Sequence, residues 1–292
     1  MATRPEPDGD PGVWHEIFLN HRAASASSAA ESLVSGHSVV VQSSLASSSE
    51  CAILRAFAAK AHDKLYSKPS PENWAGPGSV VGRARMALAR MASTSSADAN
   101  GHALCEALLM RAMTRLEESC SSLVSTLFGG VPRTCTANDG LTFSQGEPAI
   151  NVYDRGGDFK AHTDKQSLTI LLALSEADEF EGGGTAFYSD EVVASDQSNI
   201  ADLGDADATM ILRPEAGTAL CFGGQVVHSG VKVDSGRRMV LVASFSCREQ
   251  LVDGVKVNSV TRVPGSAAVV RAVALPAHGI CDPEGDCRGC IL

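Results

Sequence analysis

The spacing of apolar residues changes near residue 140, and the change divides the chain into two styles of folding. Upstream the repeat is helical. CAILRAFAAKAHDKL (51–65) sets Ile53, Leu54, Phe57, Ala58 and Leu65 at spacings of three, four and seven, which predicts an amphipathic helix with that face inward. Ser48-Ser49-Glu50 supplies an N-cap ahead of it. Pro69, Pro71 and Pro77 interrupt the pattern, and 80–93 (VVGRARMALARMAS) and 102–128 predict two further helices, the second ended by Gly129-Gly130 and Pro132. Downstream the period drops to two or to short apolar runs. Strands are predicted at 149–153, 168–174, 185–188, 208–213, 218–222 and 239–246, divided by Gly pairs and Asp/Ser clusters. Short strands with turn signals and no helices between them point to an antiparallel sandwich or barrel. Helices first and strands second make an α+β fold, with the helices against one face of the sheet.

The two ends read differently. Residues 1–48 are rich in Ser and Ala and form a variable extension, expected to dock loosely, in which HSVVVQSSL can supply one short strand. The expected organisation is therefore this extension, a helical support region over 49–139, a core over 140–265 and a C-terminal segment over 266–292. In that last segment His278, Cys281, Cys287 and Cys290 stand in the order H-x2-C-x5-C-x2-C, four soft ligands that could hold zinc. The terminal GCIL does not place its cysteine where a prenylation box requires it.

Composition narrows the function classes. Of 292 residues 44% are hydrophobic and 20% charged, enough apolar material for a packed core. The net charge of −10 lacks the electrostatic footprint of a nucleic-acid binder and is repelled by an anionic membrane surface. No apolar run reaches a bilayer-spanning length, and the N-terminus shows no apolar signal region, so a soluble, intracellular, cytoplasmic protein is expected. Nine cysteines, an odd count, suit buried reduced thiols better than a disulfide framework.

Candidate chemistry concentrates after Tyr153. His162 and Asp164 lie two apart, so on an extended strand both face one side and can meet one ion. A third ligand has to come from a strand distant in sequence, and His228 is the natural candidate. Two imidazoles and one carboxylate that leave open coordination positions suit non-haem Fe(II). An HxD pair alone arises by chance. Here it is joined by Arg238, ten residues after His228, whose guanidinium could fork onto a carboxylate of a diacid. Arg237 would face the other side of the same strand.

From 147 to 247 the sequence resembles the catalytic core of the 2-oxoglutarate- and Fe(II)-dependent dioxygenases, in their prolyl 4-hydroxylase-like branch. His162, Asp164, His228 and Arg238 match the family's HxD…H motif and its following basic residue. Tyr153 matches the tyrosine nine residues before the first histidine, with Phe159 at the second aromatic position; the chain has only three tyrosines. EGGGTAFY (181–188) and RPEAGTALCFGG (213–224) resemble the family's glycine-rich strand and its P-x-x-G-x-A-L-x-F run. The resemblance implies a double-stranded β-helix (jelly roll) behind N-terminal helices. It also implies Fe(II) on His162, Asp164 and His228, and 2-oxoglutarate held by Arg238, Tyr153 and, as a second hydrogen-bond donor, Thr169. Dioxygen is the co-reactant and ascorbate the reductant. The sequence departs from the family at Thr163, often a bulky position, and in carrying Arg rather than Lys at 238; the intact Asp164 disfavours halogenation.

The implied reaction is hydroxylation of a C–H bond in a prolyl residue of a peptide or in a proline-like small molecule, with release of succinate and CO2. The stretch SDEVVASDQSNIADLGDADA (189–208) could cover the metal as a lid, and its acidity suits a cationic substrate. Two other classes stay open: a cupin-type metal enzyme that does not use 2-oxoglutarate, and a non-catalytic ligand-binding jelly roll.

Overall fold

The computed structural model describes residues 3–4, 14–19, 28–66, 82–91, 96–120, 123–128, 141–164, 166–195, 199–247, 250–252 and 255–257. The chain divides into one unit over Met1–Cys247 and another over Arg248–Leu292. In the second unit Gln250–Val252 and Val255–Val257 pair as an antiparallel hairpin. His278, Cys281, Cys287 and Cys290 lie outside the described residues.

In the first unit the elements are β1 (Thr3–Arg4), β2 (Trp14–Phe18), α1 (Ala29–Val34), β3 (Ser38–Gln42), α2 (Ser48–Tyr66), β4 (Arg83–Ala87), α3 (Ser96–Ser119) and α4 (Leu123–Phe128). There follow β5 (Leu141–Phe143), β6 (Ala149–Tyr153), β7 (Phe159–His162), β8 (Leu168–Ala173), β9 (Phe180–Gly182), β10 (Thr185–Tyr188) and α5 (Asp190–Ser195). The last are β11 (Met210–Leu212), β12 (Ala219–Gly223), β13 (Val227–Gly230), β14 (Val233–Gly236) and β15 (Arg238–Cys247). A major sheet runs in the order β1-β2-β3-β12-β8-β15-β6-β4, with β5 also paired to β15, and a minor sheet runs β11-β10-β13-β7. Every strand pairing among the described residues is antiparallel. β9 and β14 pair in a separate two-stranded sheet, and in the minor sheet β13 lies between β10 and β7, so residues distant in sequence become lateral neighbours.

Alternation along the strands gives the major sheet two faces. Ile150, Val152, Ile170, Leu172, Leu241 and Phe245 pack with Leu54, Leu108 and Met113 of α2 and α3 in one core cluster. Tyr153, Leu171, Val240, Val242 and Phe222 join Phe187 and Met210 of the minor sheet in another. α3 buries Cys105, Leu108, Leu109, Ala112, Met113 and Leu116, the three-four repeat of a helix with one inward stripe. Cys51, Cys105, Cys120 and Cys221 are buried among these apolar groups. Burial pushes the thiol of Cys51 up to about 11 and that of Cys105 up to about 12.

Several expectations are corrected. The stretch 80–93 is not helical: Arg83–Ala87 is a strand followed by a single 3-10 turn at Leu88–Arg90. Arg83 and Arg85 alternate there with buried Ala84 and Met86, and this two-residue period prevails over the helix propensity of Ala, Met and Arg. The N-terminal extension is not loosely docked at Ser38–Gln42. β3 lies between β2 and β12 and is buried at every position. On α2, Ile53 is 49% exposed, while Cys51, Leu54, Phe57 and Ala58 form the inward stripe. The cap of α2 is Ser47, one residue earlier than expected. Its hydroxyl accepts from the Glu50 amide at 3.2 Å, and Glu50 accepts from the Ser47 amide at 2.8 Å, a reciprocal capping box. Among the described residues no helix is long and apolar enough to cross a membrane.

Candidate active site

His162 and His228 are directly opposed across the β7–β13 pair. The two strands are adjacent in the minor sheet, so residues far apart in sequence bring their ring centroids to 4.4 Å. β7 ends at His162 and Asp164 follows in non-strand backbone. The carboxylate nevertheless returns to the same side: Oδ1 is 3.6 Å from His162 Nε2 and Oδ2 is 3.7 Å from His228 Nε2. The pair therefore meets one point, though not as two residues of a continuous strand.

Backbone carbonyls set the tautomer of both rings. His162 Nδ1–H donates to the Lys160 carbonyl at 2.8 Å, and His228 Nδ1–H donates to the Val226 carbonyl at 3.0 Å. This directs each Nε2 toward Asp164, and in the neutral ring that nitrogen keeps the lone pair that binds a metal. Burial, and after it the neighbouring His228, lowers the pKa of His162 and favours the neutral ring. Phe159 packs edge-on against His162 at 4.2 Å, and Phe222 against His228 at 4.7 Å. One ligand atom from each of His162, Asp164 and His228 lies within 4.8 Å of the other two. Two imidazole nitrogens and a carboxylate oxygen at this spacing fit a divalent transition metal.

Asp164 is itself held in place. Thr169 Oγ1 lies 2.5 Å from Asp164 Oδ2 and 3.1 Å from Ser244 Oγ, and Ser244 Oγ is 3.2 Å from the same carboxylate oxygen. Thr169 and Ser244 are register partners on β8 and β15, so the sheet delivers both hydroxyls to one acceptor. The structure thus engages the Thr169 hydroxyl with a metal-ligand candidate, where the family resemblance put it on the cosubstrate. The physical reason is proximity: Thr169 follows the HxD turn closely and enters the sheet beneath the carboxylate.

Arg238 and Tyr153 are register partners on β15 and β6 and line one pocket with His162, Asp164 and His228. Arg238 is 5% exposed. It donates from Nη2 to Thr185 Oγ1 at 3.0 Å, and its guanidinium carbon stands 5.3 Å from the Tyr153 ring centroid. Among the described residues it has no carboxylate partner. Burial lowers its pKa, the sign of a charge that the surroundings do not compensate. Arg237 has the opposite fate, forking onto Asp154 at 2.6 and 3.2 Å on the other side of the strand. Gly182, Gly183 and Gly184 have φ of 70°, 61° and 115°, left-handed backbone that favours glycine. A Cβ at Gly183 would come within 3.2 Å of Arg238 Cδ, so the glycine-rich run also makes room for the arginine.

Sequence reasoning passed over Arg85, Asn151 and Glu147, which line the same pocket. Glu147 accepts from the Ser244 amide at 2.5 Å and faces Arg85 Nη2 at 3.4 Å. Burial raises its carboxyl pKa. The two-residue alternation of Arg83 and Arg85 was the available signal, hidden by a stretch that reads as helix. The acidic stretch lies elsewhere: Val192, Val193, Ile200 and Leu203 pack with Ala161, Ala186, Tyr188 and Val227, on the face of the minor sheet turned away from the histidines. None of its described residues lines the pocket.

No protein-family model matches the chain, and no curated protein is similar to it. Among solved structures it is similar to a prolyl-4-hydroxylase from Pseudomonas putida, at 17% identity over 77% of this chain and 98% of that one, with a TM-score of 0.41. It is similar to the viral collagen prolyl hydroxylase of Paramecium Bursaria Chlorella virus-1, at 14% identity over 72% and 95% of the two chains, with a TM-score of 0.37. A third is an oxidoreductase of the 2OG-Fe(II) oxygenase family from Burkholderia pseudomallei, at 18% identity and a TM-score of 0.26, where the match covers 34% of this chain and spans 42% of that one.

Proposed function

We propose that the chain is an Fe(II)- and 2-oxoglutarate-dependent oxygenase built on a double-stranded β-helix. The observation that carries the reading is the placement of Arg238, a buried guanidinium without an acidic partner among the described residues, in one pocket with His162, Asp164 and His228. Burying a cation is costly unless it is paired. A ligand carboxylate that reached it would repay that cost, and a keto-diacid has one to spare after its keto-acid end has met a metal. Two antiparallel sheets that share a core through Phe187, Phe222 and Val240 support the jelly-roll assignment.

In this reading His162, Asp164 and His228 hold Fe(II) through two Nε2 atoms and a carboxylate oxygen. Bound there, the metal supplies activation of dioxygen, coupling decarboxylation of 2-oxoglutarate to succinate with hydroxylation of a substrate C–H. Arg238 grips the distal carboxylate, with Thr185 keeping the guanidinium aimed into the pocket. Tyr153 offers its hydroxyl to the same cosubstrate. Thr169 and Ser244 keep Asp164 oriented, and Phe159, Phe222 and Phe187 exclude water around the imidazoles. Motif resemblance extends the proposal to a prolyl residue or a proline-like small molecule as substrate, with ascorbate as reductant. Arg238 is also what favours this reading over a cupin-type enzyme or a non-catalytic module.

The test is anaerobic titration of the protein with Fe(II) and 2-oxoglutarate. A visible charge-transfer band is expected, together with slow uncoupled succinate formation once air is admitted. Absence of both overturns the proposal.

A further inference from the structure

We propose that the open end of the pocket is a carboxylate-binding subsite built on Arg85, so that the hydroxylated C–H belongs to a small carboxylic acid or to the C-terminal residue of a peptide. The inference rests on the reading above, because it takes Arg238 as occupied by the keto-diacid.

Register places the two arginines at opposite ends of one surface. Arg238 is opposite Tyr153, while Val240, one step along β15, is opposite Asn151, which in turn is opposite Arg85 on β4. Arg85 therefore lies two strands across from β15 on the pocket-facing side, at the last strand of the major sheet among the described residues. The ends also differ in access: the Arg85 side chain is 36% exposed, against 5% for Arg238. A molecule that enters after the cosubstrate meets Arg85 first.

The guanidinium is held but not saturated. Its Nε–H donates to Asn151 Oδ1 at 3.2 Å, Nη1 reaches the Gln145 carbonyl at 3.4 Å, and Nη2 faces Glu147 Oε1 at 3.4 Å. An arginine carries five N–H donors, so three contacts leave two to spare on the terminal nitrogens. Glu147 does not take them. Its other oxygen is committed to the Ser244 amide, and its single contact with Arg85 is longer than a charge-assisted hydrogen bond. Arg83 adds a second guanidinium on the same face, 3.9 Å above the Phe159 ring. Glu147 stands against Arg85 and Asp158 acts on Arg83, so this side of the pocket carries charges of both signs on a chain of net charge −10. Val192, Val193, Ile200 and Leu203 of the acidic stretch pack behind the minor sheet, while Asp205 interacts electrostatically with Asp158 and Arg213.

Matched probes test this under anaerobic conditions, with Fe(II) and saturating 2-oxoglutarate bound: cyclopentanecarboxylate and its neutral carboxamide, each followed through its perturbation of the charge-transfer band. The carboxylate is expected to bind about tenfold more tightly than the amide, the worth of one charge-assisted contact. Arg85→Gln should erase that preference while the band itself persists, and Arg85→Lys, which preserves the partner of Glu147, should retain part of it. Equal affinity of the two probes, no perturbation by either, or a preference that survives Arg85→Gln overturns the subsite. A wild-type protein that shows no band at all overturns the oxygenase reading instead, so the two failures are distinguishable. N-acetylated dipeptides with free or amidated C-termini then separate a peptide source from a small acid.

Discussion

The two faces of the major sheet are made by the same strands and have opposite characters. Toward the helices, β6, β8 and β15 present Ile150, Val152, Ile170, Leu172, Leu241 and Phe245, all 1% exposed or less. Toward the minor sheet the intervening positions present Asn151, Tyr153, Thr169, Arg238 and Ser244 among a few aliphatic residues. One face is ordinary close-packed core, and the other keeps buried polar groups that pack poorly on their own terms. The pleat allows this division because side chains alternate with a period of two, and a one-residue slip in register would exchange the faces. Stability and chemistry are therefore separable by substitution even within one strand.

The comparison is broken most strongly from the helix side. Phe245→Ala should cost about 3–5 kcal/mol of folding stability, as large-to-small changes in a tight core do, and a denaturant titration reads it. On the other face Thr169→Val should leave the melting curve nearly in place while weakening divalent-metal affinity about 10–100-fold, the usual effect of removing a group that orients a ligand. Titration with Co(II) followed by absorbance reads that loss without recourse to activity, and Thr169→Ser should restore most of it. Arg238→Met sharpens the contrast further. It removes a buried charge that has no acidic partner among the described residues, so the ligand-free protein should melt at the same temperature or higher, while the 2-oxoglutarate charge-transfer band disappears.

The smallest effect concerns the helical layer. Glu50 caps α2 through Ser47 and pairs with Arg111 of α3 at 2.9 Å. The hydrogen bond from Arg111, and after it the Ser47 amide, lower its pKa from 4.5 to about 2. A depressed carboxyl contributes stability that is present above its ordinary pKa and is lost as pH falls toward the folded value. The advantage of wild type over Glu50→Gln should therefore hold at neutral pH and shrink between about pH 5 and pH 2, by no more than about 1 kcal/mol. Thermal melts across that window check it.

What was legible in the sequence follows from the same two faces. The strands at 149–153 and 185–188 are read with their observed bounds, because each is a short run closed by a turn signal. The cluster of His162, Asp164 and His228 was visible because HxD spacing, a distant histidine and a basic residue ten positions later form a joint pattern. Packing across strands was not visible. Thr169 looked like a free donor, and only the β8–β15 register turns it onto Asp164. Arg85 was hidden because RARMALAR suits a helix when the sheet beside it is unknown. The strand within HSVVVQSSL was legible, but its burial was not, because that depends on β12, more than a hundred residues away.

The position of β3 bears on how the protein can be trimmed. Cutting the chain before residue 49, where its composition invites a cut, would take away β2 and β3 and lay bare the hydrogen-bonding edge of β12. That strand carries Ala219, Leu220, Cys221 and Phe222 and would offer an apolar template to other copies of itself. Insoluble material from such a shortened form would report a broken sheet and would say nothing against the chemistry of the pocket.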